Sequence, residues 1–102
     1  MDPFEALADP TRRAILEMLS RRGELPAGAI AARFEMSAPA VSQHLKALRE
    51  AGLVLVERRG QQRIYRVNVA AMREVEAWAA SLRRQWEQRL DALERFLKAD
   101  QT

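Results

Sequence analysis

The chain has 102 residues, 48% of them apolar, with 17 Lys and Arg against 14 Asp and Glu for a net charge of +3. That length fits one domain with a modest core, the apolar share excludes a disordered chain, and no apolar run approaches the ~20 residues that span a bilayer. There is no cysteine, which excludes disulfides and thiolate chemistry, and the opening MDPFEALADP lacks the basic and apolar parts of a secretion signal, so a cytoplasmic protein is expected.

Phe4, Leu7 and Ala8 stand at helical spacing and predict a short opening helix within residues 1–8. Asp9 followed by Pro10 restarts the chain as an N-cap and a first helical position. The second helix is predicted to run to about Arg22, with Ile15, Leu16 and Leu19 as its buried stripe and Gly23 as its stop. Leu25-Pro26 reads as a short extended link. A third helix is expected over 27–34, burying Ile30 and Phe34, although Gly28 lowers its intrinsic strength.

Glu35-Met36 forms a tight turn, Ser37 caps the next helix and Pro39 lies in its first turn. That helix is expected to end at Ala51, with Gly52 as its left-handed terminator. Residues 27–51 thus make a helix-turn-helix candidate. Val41, Leu45 and Leu48 fall at i, i+4 and i+7 and must face the core. Pro39, Ser42, Gln43 and Lys46 occupy the opposite side.

Beyond Gly52 the period shortens. "LVLVERR" and "RIYRVNV", joined by Gly60-Gln61-Gln62, predict an antiparallel hairpin over 53–68. Leu53 and Leu55, with Ile64 and Val67, are expected to point inward, with the register open by one residue. The tip "RRGQQR" is basic and has nothing to bury.

Residues 70–98 read as one long helix of roughly 29 residues and about 43 Å at 1.5 Å per residue. Met72, Val75, Ala79, Leu82, Trp86, Leu90, Leu93 and Leu97 repeat at spacings of three and four, nearly a heptad seam. So long a stripe exceeds what a small domain can cover, which predicts a homodimer.

The charge is unevenly placed. Residues 1–36 carry five basic and six acidic groups, residues 37–68 six and two, and residues 69–102 six and six. The whole excess therefore lies in the middle block, where a polyanion contact is expected. A helix fits the major groove of duplex DNA. Gln43 suits a bidentate contact to adenine, Ser42 a phosphate or base, and Lys46 a phosphate or guanine. Ser37, Ala38, Pro39 and Ala40 sit at the helix start, where the small apolar side chains suit a thymine methyl. Arg58, Arg59, Gln61, Gln62 and Arg63 at the hairpin tip suit the adjacent minor groove or backbone. The alternative is a protein-interaction module without DNA specificity. With a single histidine and no Gly-rich phosphate loop there is no nucleophile–base pair to assign, and no enzyme is expected.

"LADPTRRAILEMLS", "SAPAVSQHLKALREAGLV" and "VERRGQQRIYRV" together resemble the ArsR/SmtB family of bacterial winged helix-turn-helix repressors. The pattern V-S-x-H-L-x-x-L-x-x-A-G-L-V is complete from Val41 to Val54. The resemblance covers nearly the whole chain. It implies a mainly α fold with a small β-hairpin wing and a long C-terminal dimerisation helix, all in one winged-helix domain. It also implies a homodimer paired through the first and last helices, Phe4 and Leu7 joining the seam, on an operator that is released when an effector shifts the dimer. Metal-sensing relatives carry cysteines where this chain has Leu25, Pro26, Ala27 and Gly28. Others carry His and acidic ligands on the last helix, where this chain has Glu74, Glu76, Glu87, Asp91 and Glu94 but no histidine. No metal and no cofactor are therefore expected. His44 is expected to pack within the domain. Trp78, Trp86, Phe96 and Phe4 suit either an interface core, which is the expectation, or a pocket for a small apolar effector.

Overall fold

The computed structural model describes residues 1–100. Five helices and three strands follow one another as α1 (Pro3–Leu7), α2 (Pro10–Arg22), β1 (Leu25–Pro26), α3 (Ala27–Ala31), α4 (Ala38–Glu50), β2 (Val54–Arg59), β3 (Gln62–Val67) and α5 (Val69–Asp100). The chain to Ala71 forms one compact unit, and α5 from Met72 onward forms a second.

Helix starts follow local chemistry. Asp2 accepts from the Phe4 and Glu5 amides to cap α1. Asp9 accepts from the Arg12 amide at 3.0 Å to cap α2, and Ser37 accepts from the Ala40 amide at 3.3 Å to cap α4. Each cap is followed by a proline in the first turn, whose missing N–H leaves no bond unmade. Gly23 and Gly52 end α2 and α4 at φ 86° and 77°, a region that side chains with a Cβ avoid.

The core of the first unit is made by Ile15, Leu16 and Leu19 of α2, Ile30 of α3, Val41, Leu45 and Leu48 of α4, and Leu53, Val54, Ile64 and Tyr65 of the hairpin. Ala6 is the one buried residue of α1. Fully burying a Leu or Ile is worth about 1.5–3 kcal/mol, so this set anchors α4 while leaving its other side open.

Four expectations are corrected. The third helix stops at Ala31 rather than reaching residue 34, and Phe34 is only half-buried. Arg33 and Phe34 instead donate to Ile30 and Ala31 at 3.1 and 3.2 Å, so the chain tightens into turns. Leu25-Pro26 is more than a link: it pairs antiparallel with Tyr65 and Ile64, making a three-stranded sheet ordered β1-β3-β2. Leu55 points outward and is 42% exposed, while Val54 is buried. Side chains alternate along a strand. Leu53 precedes β2, so the inward parity begins at Val54 and continues through half-buried Val56, opposite Val67 and Tyr65. The hairpin turn is Gly60-Gln61 alone, with Gln62 paired to Arg59. Gly60 has φ 60° and Gln61 does not have positive φ, as a type II′ turn requires.

Candidate nucleic-acid interface

Helix α4 is two-sided. Val41, Leu45, Ala47 and Leu48 are buried, whereas Ser42, Gln43, Lys46 and Arg49 are exposed along the other side. Ser37, Ala38 and Pro39 are exposed at its start, and Ala40 is half-buried. Lys46 lies 4.0 Å from Glu50 in a solvated i,i+4 pair, which holds the ammonium only weakly. His44 occupies the edge between the two sides. Its Nδ1 lies 3.7 Å from the Asp9 carboxylate, so the cap of α2 also touches α4. The Asp9 carboxyl is held below its ordinary range chiefly by the Arg12 N–H, with partial burial opposing and His44 assisting.

The wing joins this surface. An open cleft of about 440 Å³ lies between α4 and β3, with Ser42, Gln43, Lys46 and Arg49 on one wall and Arg63 and Tyr65 on the other. A second opening lies between Gln61, Gln62 and Arg63 and the start of α3 at Pro26 to Ala29. The strand register distributes the wing's side chains over two faces. Arg58 pairs with Arg63 and shares its face with Val56 and Tyr65. Arg59, Glu57, Leu55, Gln62, Ile64 and Arg66 lie on the other. There Arg59 donates two hydrogen bonds to Glu24, one of them at 3.1 Å, and a third to Glu57 at 2.8 Å. Arg66 lies 3.5 Å from Glu57. The hydrogen bonds from Arg59 push the Glu24 carboxyl below its usual range, and Glu24 and Glu57 raise the guanidinium's own affinity for its proton.

Two further groups escaped the reading of the sequence. Arg12 donates through Nε to the Ala6 carbonyl at 2.8 Å and through Nη2 to Glu5, and Arg13 donates to Leu7 and Ala8 at 2.8 and 3.1 Å. They satisfy the last carbonyls of α1 and fasten it to α2. Asn68 donates from its backbone to Leu53 and from its side chain to Gly52, both at 2.9 Å, and so closes the base of the hairpin. The only signals for these contacts were basic residues after a short helix and an Asn at a strand end.

Helix α5, taken by itself, has no buried residue. Met72 and Val75 are half-buried, while Leu82, Trp86, Leu90, Leu93 and Leu97 are exposed. Phe4 on α1 is also exposed and Leu7 half-buried. Among the described residues no group of three or more His, Asp or Glu side chains is placed to hold a metal, and no helix is long and apolar enough to cross a membrane.

A short helix, a turn, a capped helix with a polar outer side and a basic hairpin in that order define a winged helix-turn-helix protein. A helix-turn-helix domain model matches residues 7–57. The transcriptional repressor SdpR of Bacillus subtilis is 39% identical over 75 residues, covering 74% of this chain and 82% of the repressor. An ArsR-like transcriptional regulator from Rhodococcus sp. RHA1 is similar in structure, with a TM-score of 0.78, 32% identity and coverage of 91% of this chain and 87% of that one. The homodimeric winged helix-turn-helix DNA-binding domain of a possible ArsR-family regulator from Mycobacterium bovis gives a TM-score of 0.61 at 34% identity, over 76% and 73% of the two chains. The chain belongs to the ArsR family of winged helix-turn-helix transcriptional regulators.

Proposed function

We propose that the protein is a homodimeric repressor that binds a two-fold symmetric operator in the cytoplasm. Helix α4 enters the major groove and the wing reaches the adjacent backbone or minor groove. The reading is carried by one observation: Ser42, Gln43 and Lys46 stand exposed on a helix whose other side is locked into the core by Val41, Leu45 and Leu48. A rigid backing fixes where those side chains reach, which base recognition requires. Gln43 reads adenine, Ser42 and Lys46 contact phosphate or a base edge, and the start of the helix from Ser37 to Ala40 meets the groove wall. Arg58, Gln61, Gln62 and Arg63 serve the wing contact. SdpR is named a repressor and the Mycobacterium bovis domain homodimeric, which supports both parts of the proposal.

Dimerisation runs through Phe4 and Leu7 of α1 and the α5 seam of Met72, Val75, Ala79, Leu82, Trp86, Leu90, Leu93 and Leu97. Pairing two chains brings two copies of α4 to one operator, whose half-sites would lie about one helical turn apart. With no cysteine in the chain, release from DNA does not run through a thiolate-bound ion.

The test is binding of the purified chain to the DNA upstream of its own gene across a salt series. Sequence-preferring binding with a log–log slope of about −0.9 per phosphate contact is expected. Salt-insensitive or sequence-indifferent binding would leave the chain a protein-interaction module instead.

A further inference from the structure

The wing presents two chemically different faces, separated by the strand register. On the face toward α4, Arg63 lines the open cleft together with Arg49, Lys46 and Ser42, above an apolar floor of Leu45 and Tyr65. Neither Arg49 nor Arg63 makes an ion pair with any described residue, and Lys46 has only the 4.0 Å contact to Glu50. On the opposite face, Arg59 is held by Glu24, from the loop between α2 and β1, and by Glu57. A duplex sets one sugar-phosphate strand between its major groove and the next minor groove. A protein that inserts a helix into one groove and a hairpin toward the other must straddle that strand.

We infer that the cleft between α4 and β3 is a channel for one phosphodiester strand, with Arg49 and Arg63 as its phosphate contacts, and that Arg59 is a positioning residue that braces the wing from behind. The inference rests on the DNA-binding reading above and refines it. Phosphates entering the channel meet guanidinium groups whose charge is not already neutralised, so each contact releases counterions. The guanidinium of Arg59 is already satisfied by carboxylates. Its contribution is to tie β2 to the loop before β1 across 35 residues of sequence, holding the wall that carries Arg63.

The experiment uses the full-length chain and a duplex of about 30 base pairs recovered by the wild-type protein from random DNA, titrated between about 50 and 200 mM KCl. Arg49→Ala and Arg63→Ala are each expected to flatten the log–log salt slope by about 1.8 per dimer, two contacts at about 0.9 each. Arg59→Ala is expected to weaken binding while leaving the slope at the wild-type value. Glu24→Gln is expected to do the same, and Arg59→Ala to cost nothing further in the Glu24→Gln background. Wild-type slopes for both Arg49→Ala and Arg63→Ala would overturn the channel. A slope loss in Arg59→Ala equal to that of Arg63→Ala, or tighter and more salt-dependent binding by Glu24→Gln, would overturn the bracing role and make Arg59 a phosphate contact. If the wild-type chain recovers no duplex at all, the DNA-binding reading itself fails, a result distinct from either.

Discussion

Substituting Leu90 tests the dimer at a position where the effect on folding and the effect on association separate. Leu90 is 57% exposed on a helix that buries nothing within its own unit, so its side chain adds little to the stability of a single chain. Complete burial of a Leu is worth about 1.5–3 kcal/mol, so covering the exposed part in a seam is worth about 1–1.7 kcal/mol. Truncation to Ala removes most of that, about 1 kcal/mol per chain and about 2 kcal/mol per dimer. At 1.4 kcal/mol per tenfold, the dimer dissociation constant rises about 30-fold. Leu90→Glu adds two carboxylates to an apolar seam at several kcal/mol each, which raises the change to at least about a thousandfold. Sedimentation velocity across a dilution series measures both shifts, and circular dichroism confirms that the helix content is kept. A Leu90→Glu variant that sediments like the wild type at every concentration would refute the seam. So would a wild-type chain that stays monomeric throughout.

Gln43→Ala is expected to lose about 1–3 kcal/mol of discrimination at one base position in each half-site. Selection from random DNA reads this directly, and an unchanged motif would remove Gln43 from base recognition. Asp9→Ala removes the cap of α2 and is expected to cost about 1 kcal/mol at neutral pH. Because the Asp9 carboxyl is more acidic folded than unfolded, its stabilisation is fully present above the ordinary carboxylate range and is lost as pH falls through the depressed value. Urea denaturation from pH 7 down through the acid range should therefore show a gap between wild type and variant that narrows as the carboxyl protonates, and a constant gap would contradict the ionised cap. Leu48→Ala, at a fully buried position that backs the exposed side of α4, is expected to cost about 2–5 kcal/mol. A thermal melt shifted by less than a few degrees would show that the site is less tightly packed than described.

Elements whose chemistry is complete within a few residues were legible before any coordinates. Asp9-Pro10 and Ser37 with Pro39 start helices because the cap and its amide lie three residues apart. Gly23 and Gly52 end them because the backbone there needs positive φ. The apolar stripes at spacings of three and four follow from 3.6 residues per turn, and the polar side of α4 is their complement. What depended on packing were choices between alternatives of similar local energy. Nothing within "GLVLVERR" states whether Val54 or Leu55 faces in, since both are good strand residues and one step of parity exchanges them. Burial of Val54 against the core, with Leu55 left exposed, settled it. The pairing of Leu25-Pro26 with β3 and the bond between Glu24 and Arg59 likewise join groups that proximity along the chain does not bring together. Chain folding sets such meetings, because the energy of a long-range contact exists only once the intervening segments have closed around it.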